Sequence, residues 1–328
     1  MSLWQADEER FYQVHGQLAD YFAAQSNRKV PPDSPSPAKY ENPDWREQSA
    51  EFLYHLLFTE RTDCQAQFRA HLLEARYLRE DDVVKIPLQA ITAEVDLAEH
   101  PFLTYTTRKF LTSIKPAVEY GWAILQQEPI DYEQNRDRYN LSKAQVDLAV
   151  KTCLQPADSL DGLAKFAALF YQSKRCLENQ RFSWLMRAKA QAEKITTAED
   201  PEFSSGLFLW KIGNALDDLG RKEEAIASYD QALAIQPDYH QAWYNRGVAL
   251  SALGHKEEAI TSYDQALVIQ PDTHQAWNNR GVALSALGRK EEAIASYDQA
   301  LAIQPDYHQA WYNRGVALSA LGRKEEAI

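Results

Sequence analysis

Residues 240–273 read HQAWYNRGVALSALGHKEEAITSYDQALVIQPDT, and residues 274–307 repeat them with 29 of 34 positions unchanged. Copies begin at Gly206, His240, His274 and His308, and the sequence ends at Ile328, 21 residues into the last of them. A fixed period of this length marks a stacked array, because one unit cannot bury its own apolar face and must share it with its neighbours. Each copy carries two helical patterns. Gly254 stands after the first, where a left-handed residue is least costly as glycine. Pro271 stands after the second and stops it. The segment 206–328 is therefore predicted to be a near one-dimensional stack of helix–turn–helix hairpins.

The signature residues have mechanical roles. Gly247 and Ala259 are small enough for the two helices of a hairpin to approach closely. Trp243, Leu250, Tyr263 and Leu267 are expected between hairpins, where a large apolar side chain contributes about 1.5–3 kcal/mol. The order Trp243, Gly247, Leu250, Ala259, Tyr263, Ala266, Pro271, with Trp277, Gly281, Leu284, Ala293, Tyr297, Ala300, Pro305 in the next copy, resembles the tetratricopeptide repeat. The resemblance implies an all-α fold, a right-handed α-solenoid whose first helices line a concave groove for a peptide or helix. Carried over by position, the groove residues are Gln241, Tyr244, Asn245, Val248 and Ser251; Gln275, Asn278, Asn279, Val282 and Ser285; and Gln309, Tyr312, Asn313 and Val316. Ala252 and Ala286 fall on the same face.

Asn245, Asn279 and Asn313 form a ladder, and an amide offers both donor and acceptor to a partner's backbone. The alternative is that these asparagines cap local backbone groups. The first copy departs from the pattern, with Leu209 at the tryptophan position and Lys211 at the asparagine. Arg246, Arg280 and Arg314 stand where the family has an apolar residue; their stems are expected along apolar surface with the heads in water. His240, His274 and His308 recur once per copy and read as surface residues rather than metal ligands. The RKEE runs, Arg221–Glu224 and Arg289–Glu292, read as solvated helix starts with glutamates placed favourably at an N-terminus.

Upstream, residues 1–27 read as an amphipathic helix with Phe11, Val14, Leu18 and Phe22 at helical spacing. Residues 28–43 hold five prolines and read as an exposed linker. Residues 44–205 read as an irregular all-helical domain. It opens with Asp44 as N-cap before Trp45, Phe52, Leu53, Leu56 and Leu57. About six further helical segments follow between residues 63 and 197, with no convincing strand. Pro87 is placed in a first helical turn ahead of Leu88, Ile91 and Val95, and Pro116, Pro129 and Pro156 punctuate later segments. Segment 162–197 reads as a helical hairpin whose second half (Phe182, Leu185, Ala192, Ile195) faintly echoes the repeats, as a degenerate copy would. The array then divides as 206–239, 240–273, 274–307 and a partial 308–328. Around His15, Leu18, Tyr21, Tyr54, His55 and Leu56, the phrases FYQVHGQLADYFAAQ and WREQSAEFLYHLLF resemble the helical arm of STAND-type (NLR-like) signalling ATPases. That resemblance implies a sensor arm regulating a nucleotide-binding module.

Several function classes are disfavoured. Net charge is −12 and each repeat is mildly acidic, so attraction to nucleic-acid phosphates is lacking. Cys64, Cys153 and Cys176 are odd in number and widely spaced, which fits neither a disulfide framework nor a zinc site and suggests a reduced, cytoplasmic setting. The start MSLWQADEERFYQ is not a secretory signal, and no apolar run approaches membrane-spanning length. Eight of the 12 glycines belong to the repeats and the rest stand singly, so no phosphate-cradling loop or nucleophile elbow is written here. The expected function is a non-catalytic scaffold that needs no cofactor and binds a protein or peptide. Two alternatives are the sensor arm of a signalling ATPase and substrate-recruiting repeats of a larger enzyme. A chain ending one turn into a second helix is expected to continue or to fray there, and its open end could stack on a second copy.

Overall fold

The computed structural model describes residues 3–34, 36–78, 80, 82–93, 97, 100, 102–120, 142–155, 157–195 and 205–323. Its described residues are helical and contain no strand. Contacts divide the chain into two units, Met1–Ala198 and Glu199–Ile328.

The first unit holds α1 (Leu3–Lys29), α2 (Ser36–Glu41), α3 (Pro43–Leu57), α4 (Cys64–Leu78), α5 (Asp82–Thr92), α6 (Tyr105–Tyr120), α7 (Lys143–Leu154), α8 (Gly162–Arg175) and α9 (Glu178–Ala192). On α1, Phe11, Leu18 and Phe22 are half-buried, but Val14 is exposed. His15 takes the stripe position instead, because it lies four residues after Phe11 and three before Leu18. The proline-rich stretch 28–43 is not simply a linker. It contains α2, whose early Pro37 loses nothing by lacking an N–H in the first turn, and it buries Tyr40 completely. The cap of α3 is Asn42, not Asp44: the Asn42 Oδ1 accepts from the Trp45 amide at 2.9 Å, and Pro43 opens the helix. Asp44 sits in the first turn and pairs with Lys29 at 2.9 Å.

Pro87 and Pro116 lie inside α5 and α6 rather than at helix boundaries. An interior proline costs about 3 kcal/mol. In α5 that cost is offset by the burial of Val83, Val84, Leu88 and Ile91 around it. Pro129 and Pro156 fall outside the described residues. Helices α8 and α9 pack against each other as a hairpin. Two buried arginines on α4 close other helix ends. Arg69 donates to the Gln155 carbonyl (2.6 Å) and Ser159 Oγ (2.7 Å), and Arg76 donates to the Val118 carbonyl. Cations at C-terminal carbonyls also complement the helix dipole.

Polar groups in this unit are perturbed in opposite directions. His15 and His55 join α1 to α3 through an Nδ1–Nδ1 hydrogen bond of 2.9 Å. Burial, followed by the neighbouring His15, lowers His55 to about 4. Burial and then Lys39 lower His71 to about 4. One turn along α4, burial raises Glu74 to about 7 despite opposition from Lys39, Ser36, the Ala164 amide and Tyr40.

The second unit is the array: α10 (Ser205–Asp218) with α11 (Lys222–Ile235), α12 (His240–Ala252) with α13 (Lys256–Ile269), α14 (His274–Ala286) with α15 (Lys290–Ile303), and α16 (His308–Ala320). Residues 324–328, where the sequence pattern predicts fraying, lie outside the described residues. Each complete hairpin closes where a ring covers a glycine. A Cβ on Gly213, Gly247 or Gly281 would lie 2.4, 2.7 or 2.5 Å from Tyr229, Tyr263 or Tyr297, too close for any side chain. These three tyrosines are almost wholly buried. Gly254 and Gly288 turn the chain at φ of +91° and +81°, with open space around them. Each hairpin then packs its second helix on the first helix of the next copy. Trp243, Trp277 and Trp311 donate Nε1–H to the carbonyls of Pro237, Pro271 and Pro305 at 2.8–2.9 Å, fastening the turn between copies.

Two measurements test these assignments. The folded pKa of Glu74 lies above its unfolded value, so its contribution is full below about pH 4.5 and is lost as pH rises through about 7. The lowered histidines act in the other sense, losing stability as pH falls from about 6.5 towards 4. Urea unfolding should therefore show Glu74→Gln gaining on the parent by on the order of 1–3 kcal/mol between pH 5 and pH 8; parallel pH profiles would refute the assignment. In the array, Gly281→Ala should cost about 1–3 kcal/mol through overpacking. Combined with Tyr297→Leu it should cost less than the sum of the two single changes, and strict additivity would show that the ring does not set the approach.

Candidate functional site: the inner face of the array

Successive first helices, α10 to α12 to α14 to α16, touch one another, whereas successive second helices make at most marginal contact. A stack drawn tighter along one edge curves towards it, so the first helices line the inside. The structure places the predicted groove residues on these helices, and hydrogen bonds connect them. The Asn245 Nδ2 donates to Asn214 Oδ1 (2.7 Å), the same oxygen that accepts from the Tyr229 hydroxyl (2.9 Å). Asn279 Nδ2 donates to Tyr244 Oη (3.1 Å) one copy back, and Asn313 Nδ2 donates to Asn278 Oδ1 (3.0 Å).

The asparagine ladder therefore joins copies to one another instead of capping local backbone. Each of these amides has a second N–H beyond the one engaged. Asn278 is buried at 3% exposure and also donates to Asn279 Oδ1 at 3.2 Å. Gln309 donates to Asn313 Oδ1 at 3.1 Å within α16, while Gln241 and Gln275 are exposed. Val282, Val316 and Tyr312 are exposed apolar surface, and Tyr244 and Val248 are half-buried.

The serines face a different neighbourhood. Lys256 Nζ donates to the Ser251 carbonyl (2.5 Å) and hydroxyl (2.9 Å), and Lys290 Nζ donates to the Ser285 hydroxyl (3.1 Å). Ser251 and Ser285 also lie within hydrogen-bonding reach of the Tyr263 and Tyr297 phenols. These hydroxyls close the hairpin at the edge of the face, and each lysine sits at the C-terminal end of a first helix, where a cation is favourable. Burial raises Tyr263 well above the usual tyrosine value, with Tyr244 adding to the effect, so its phenol stays protonated.

The arginines depart from expectation. Arg246 Nε meets Asp230 at 2.6 Å and its Nη1 donates to Ser262 at 2.7 Å. Arg280 repeats the arrangement with Asp264 (2.6 Å) and Ser296 (2.7 Å), and Arg314 meets Asp298 at 2.5 Å. Each guanidinium lies 5.8 Å from the ring centroid of its own copy's tryptophan. The heads are thus held by protein and not left to water. The planar fork can serve the second helix on either side at once. A signal existed in the sequence: aspartate stands 16 residues before each arginine and serine 16 after the first two.

Among the described residues, no group of three or more His, Cys, Asp or Glu is placed to hold a metal. His240 and His274 are half-buried, His308 is exposed, and the His274 ring stands edge-on to Tyr307 at 4.8 Å. No helix among the described residues is long and apolar enough to cross a membrane.

Family models described as tetratricopeptide repeat match residues 211–272, 274–307 and 296–328. This segment is a tetratricopeptide repeat array. Such an array is a protein-interaction scaffold. Curated protein sequences give no match. Solved structures with similarity include a crystal structure of MamA, 23% identical over 45% of this chain and 86% of that one, with a TM-score of 0.39. MamA from Desulfovibrio magneticus is 21% identical over 49% of this chain and 88% of that one, with a TM-score of 0.42. The first tetratricopeptide domain of Spaghetti (RPAP3), bound to an HSP90 peptide, is 26% identical over 36% and 93%, with a TM-score of 0.35.

The arginine station gives a further test. Arg280→Ala should destabilise the array by about 1–3 kcal/mol, because it removes a charge-assisted bond, a hydroxyl partner and ring contact together. Arg280→Lys should recover less than half of the loss, since an ammonium cannot fork. Full recovery in urea unfolding would reduce the station to a simple charge pair.

Proposed function

We propose that the inner face of residues 240–316 binds an extended peptide or a helix of a partner protein, and that the chain acts through this binding rather than by catalysis. The observation that carries the reading is the repetition of one side-chain set on adjoining first helices. Val282 and Val316 are exposed on it, Tyr312 flanks them, and amides with a spare N–H lie beside them. Apolar surface on an inner curve has no partner within its own hairpin, and paired amide groups suit a peptide backbone whatever its side chains. The three cysteines are free, in keeping with a reducing, cytoplasmic setting.

Selection of random displayed twelve-residue peptides on the full chain tests the proposal. Recovered peptides should bind at least 10-fold more weakly to the double variant Val282→Asp/Val316→Asp, whose circular dichroism and urea midpoint should match the parent. Both valines are exposed in the free protein, so unfolding does not confound the comparison. If no peptide is recovered, or if every recovered peptide binds both proteins equally, the inner face is not the docking surface.

A further inference from the structure

The array segregates its charge. Every acid and lysine of residues 240–307 lies in a second helix or a turn. The first helices α12, α14 and α16 each carry one formally charged residue, the arginine, and its head is held by an aspartate of the preceding second helix. None of the inner-face positions on these helices bears a carboxylate, ammonium or guanidinium. Lys256 and Lys290 are engaged at the edge of the face by the C-terminal ends of their first helices. A chain with net charge −12 thus presents an uncharged strip of amides, valines and phenols along three adjoining helices. On the α10 side the strip stops, because Lys211 and the Asp217–Lys222 pair bring charge back.

From this we infer that the partner segment is uncharged where it lies against α12, α14 and α16, a run of polar and apolar residues and neither an acidic nor a basic tail. This rests on the proposed groove. A charged side chain brought against the strip would lose water without meeting an opposite charge, and that desolvation is not returned. An anionic segment is additionally repelled by the field of the whole protein. A neutral segment meets neither penalty, and its backbone groups find the amides. Its binding should respond little to ionic strength, because salt screens only interactions between charges.

The same displayed selection decides this separately from the groove itself. In synthetic versions of the recovered peptides, residues whose replacement by alanine costs more than 10-fold should contain no Asp, Glu, Lys or Arg. Replacing one of them by Glu or by Lys should each weaken binding more than 10-fold, and the parent Kd should change less than twofold between 50 and 500 mM NaCl. Val282→Lys should reverse the preference, so that the Glu-substituted peptide binds it more tightly than the neutral one. Peptides that need the inner face but bind through charged residues, or weaken 10-fold over that salt range, would overturn this inference and leave the groove standing. Peptides indifferent to Val282→Asp/Val316→Asp would remove both.

Discussion

The array depends on one contact, a tyrosine ring laid on a glycine. Tyr229, Tyr263 and Tyr297 occupy the space that a Cβ on Gly213, Gly247 or Gly281 would need. That sets the distance between the two helices of a hairpin, and the distance determines where everything else on them falls. With the helices this close, the tyrosine hydroxyl reaches back to the first helix, to Asn214 in the first copy and towards Ser251 and Ser285 in the next two. The ring is thereby buried with its polar atom satisfied, which is the condition for a tyrosine to serve as core.

From hairpin spacing follows the junction between copies. Arg246 and Arg280 each bridge the second helices on their two sides, while the tryptophans fasten the proline turn and the asparagines tie first helix to first helix. These polar ties lie on different sides of the first helix. The charged set faces the second helices and the neutral set faces inward. The inner surface is left uncharged because its charges have been drawn to the structural side of the same helices.

How much of this could be read from sequence depended on whether the deciding partner was local or periodic. The hairpins, their turns and the inner face follow from a 34-residue period, and Gly254, Pro271 and Asn245 sit where that period places them. The role of Arg246 was missed because snorkelling considers one helix and its solvent, whereas the decisive groups, Asp230 and Ser262, lie on two other helices. In the first unit no period helps. Pro87 was read as a first-turn residue and Pro116 as punctuation because local propensity disfavours proline inside a helix, yet tertiary burial outweighs that preference. Tyr40 and α2 were hidden in a proline-rich stretch for the same reason: a single buried ring, invisible to composition, gives the segment its place.

The 16-residue offsets have an evolutionary corollary. Asp230 lies opposite Arg246, but it would lie opposite Arg280 in the same way if residues 240–273 were absent. Asn279 would then face Asn214, as Asn245 does now. The arginine–aspartate pairing is the same at every seam, so unequal recombination between the near-identical segments adds or deletes whole copies without breaking that pairing. The number of copies, and with it the length of the inner face, is heritable variation that this architecture tolerates without redesign.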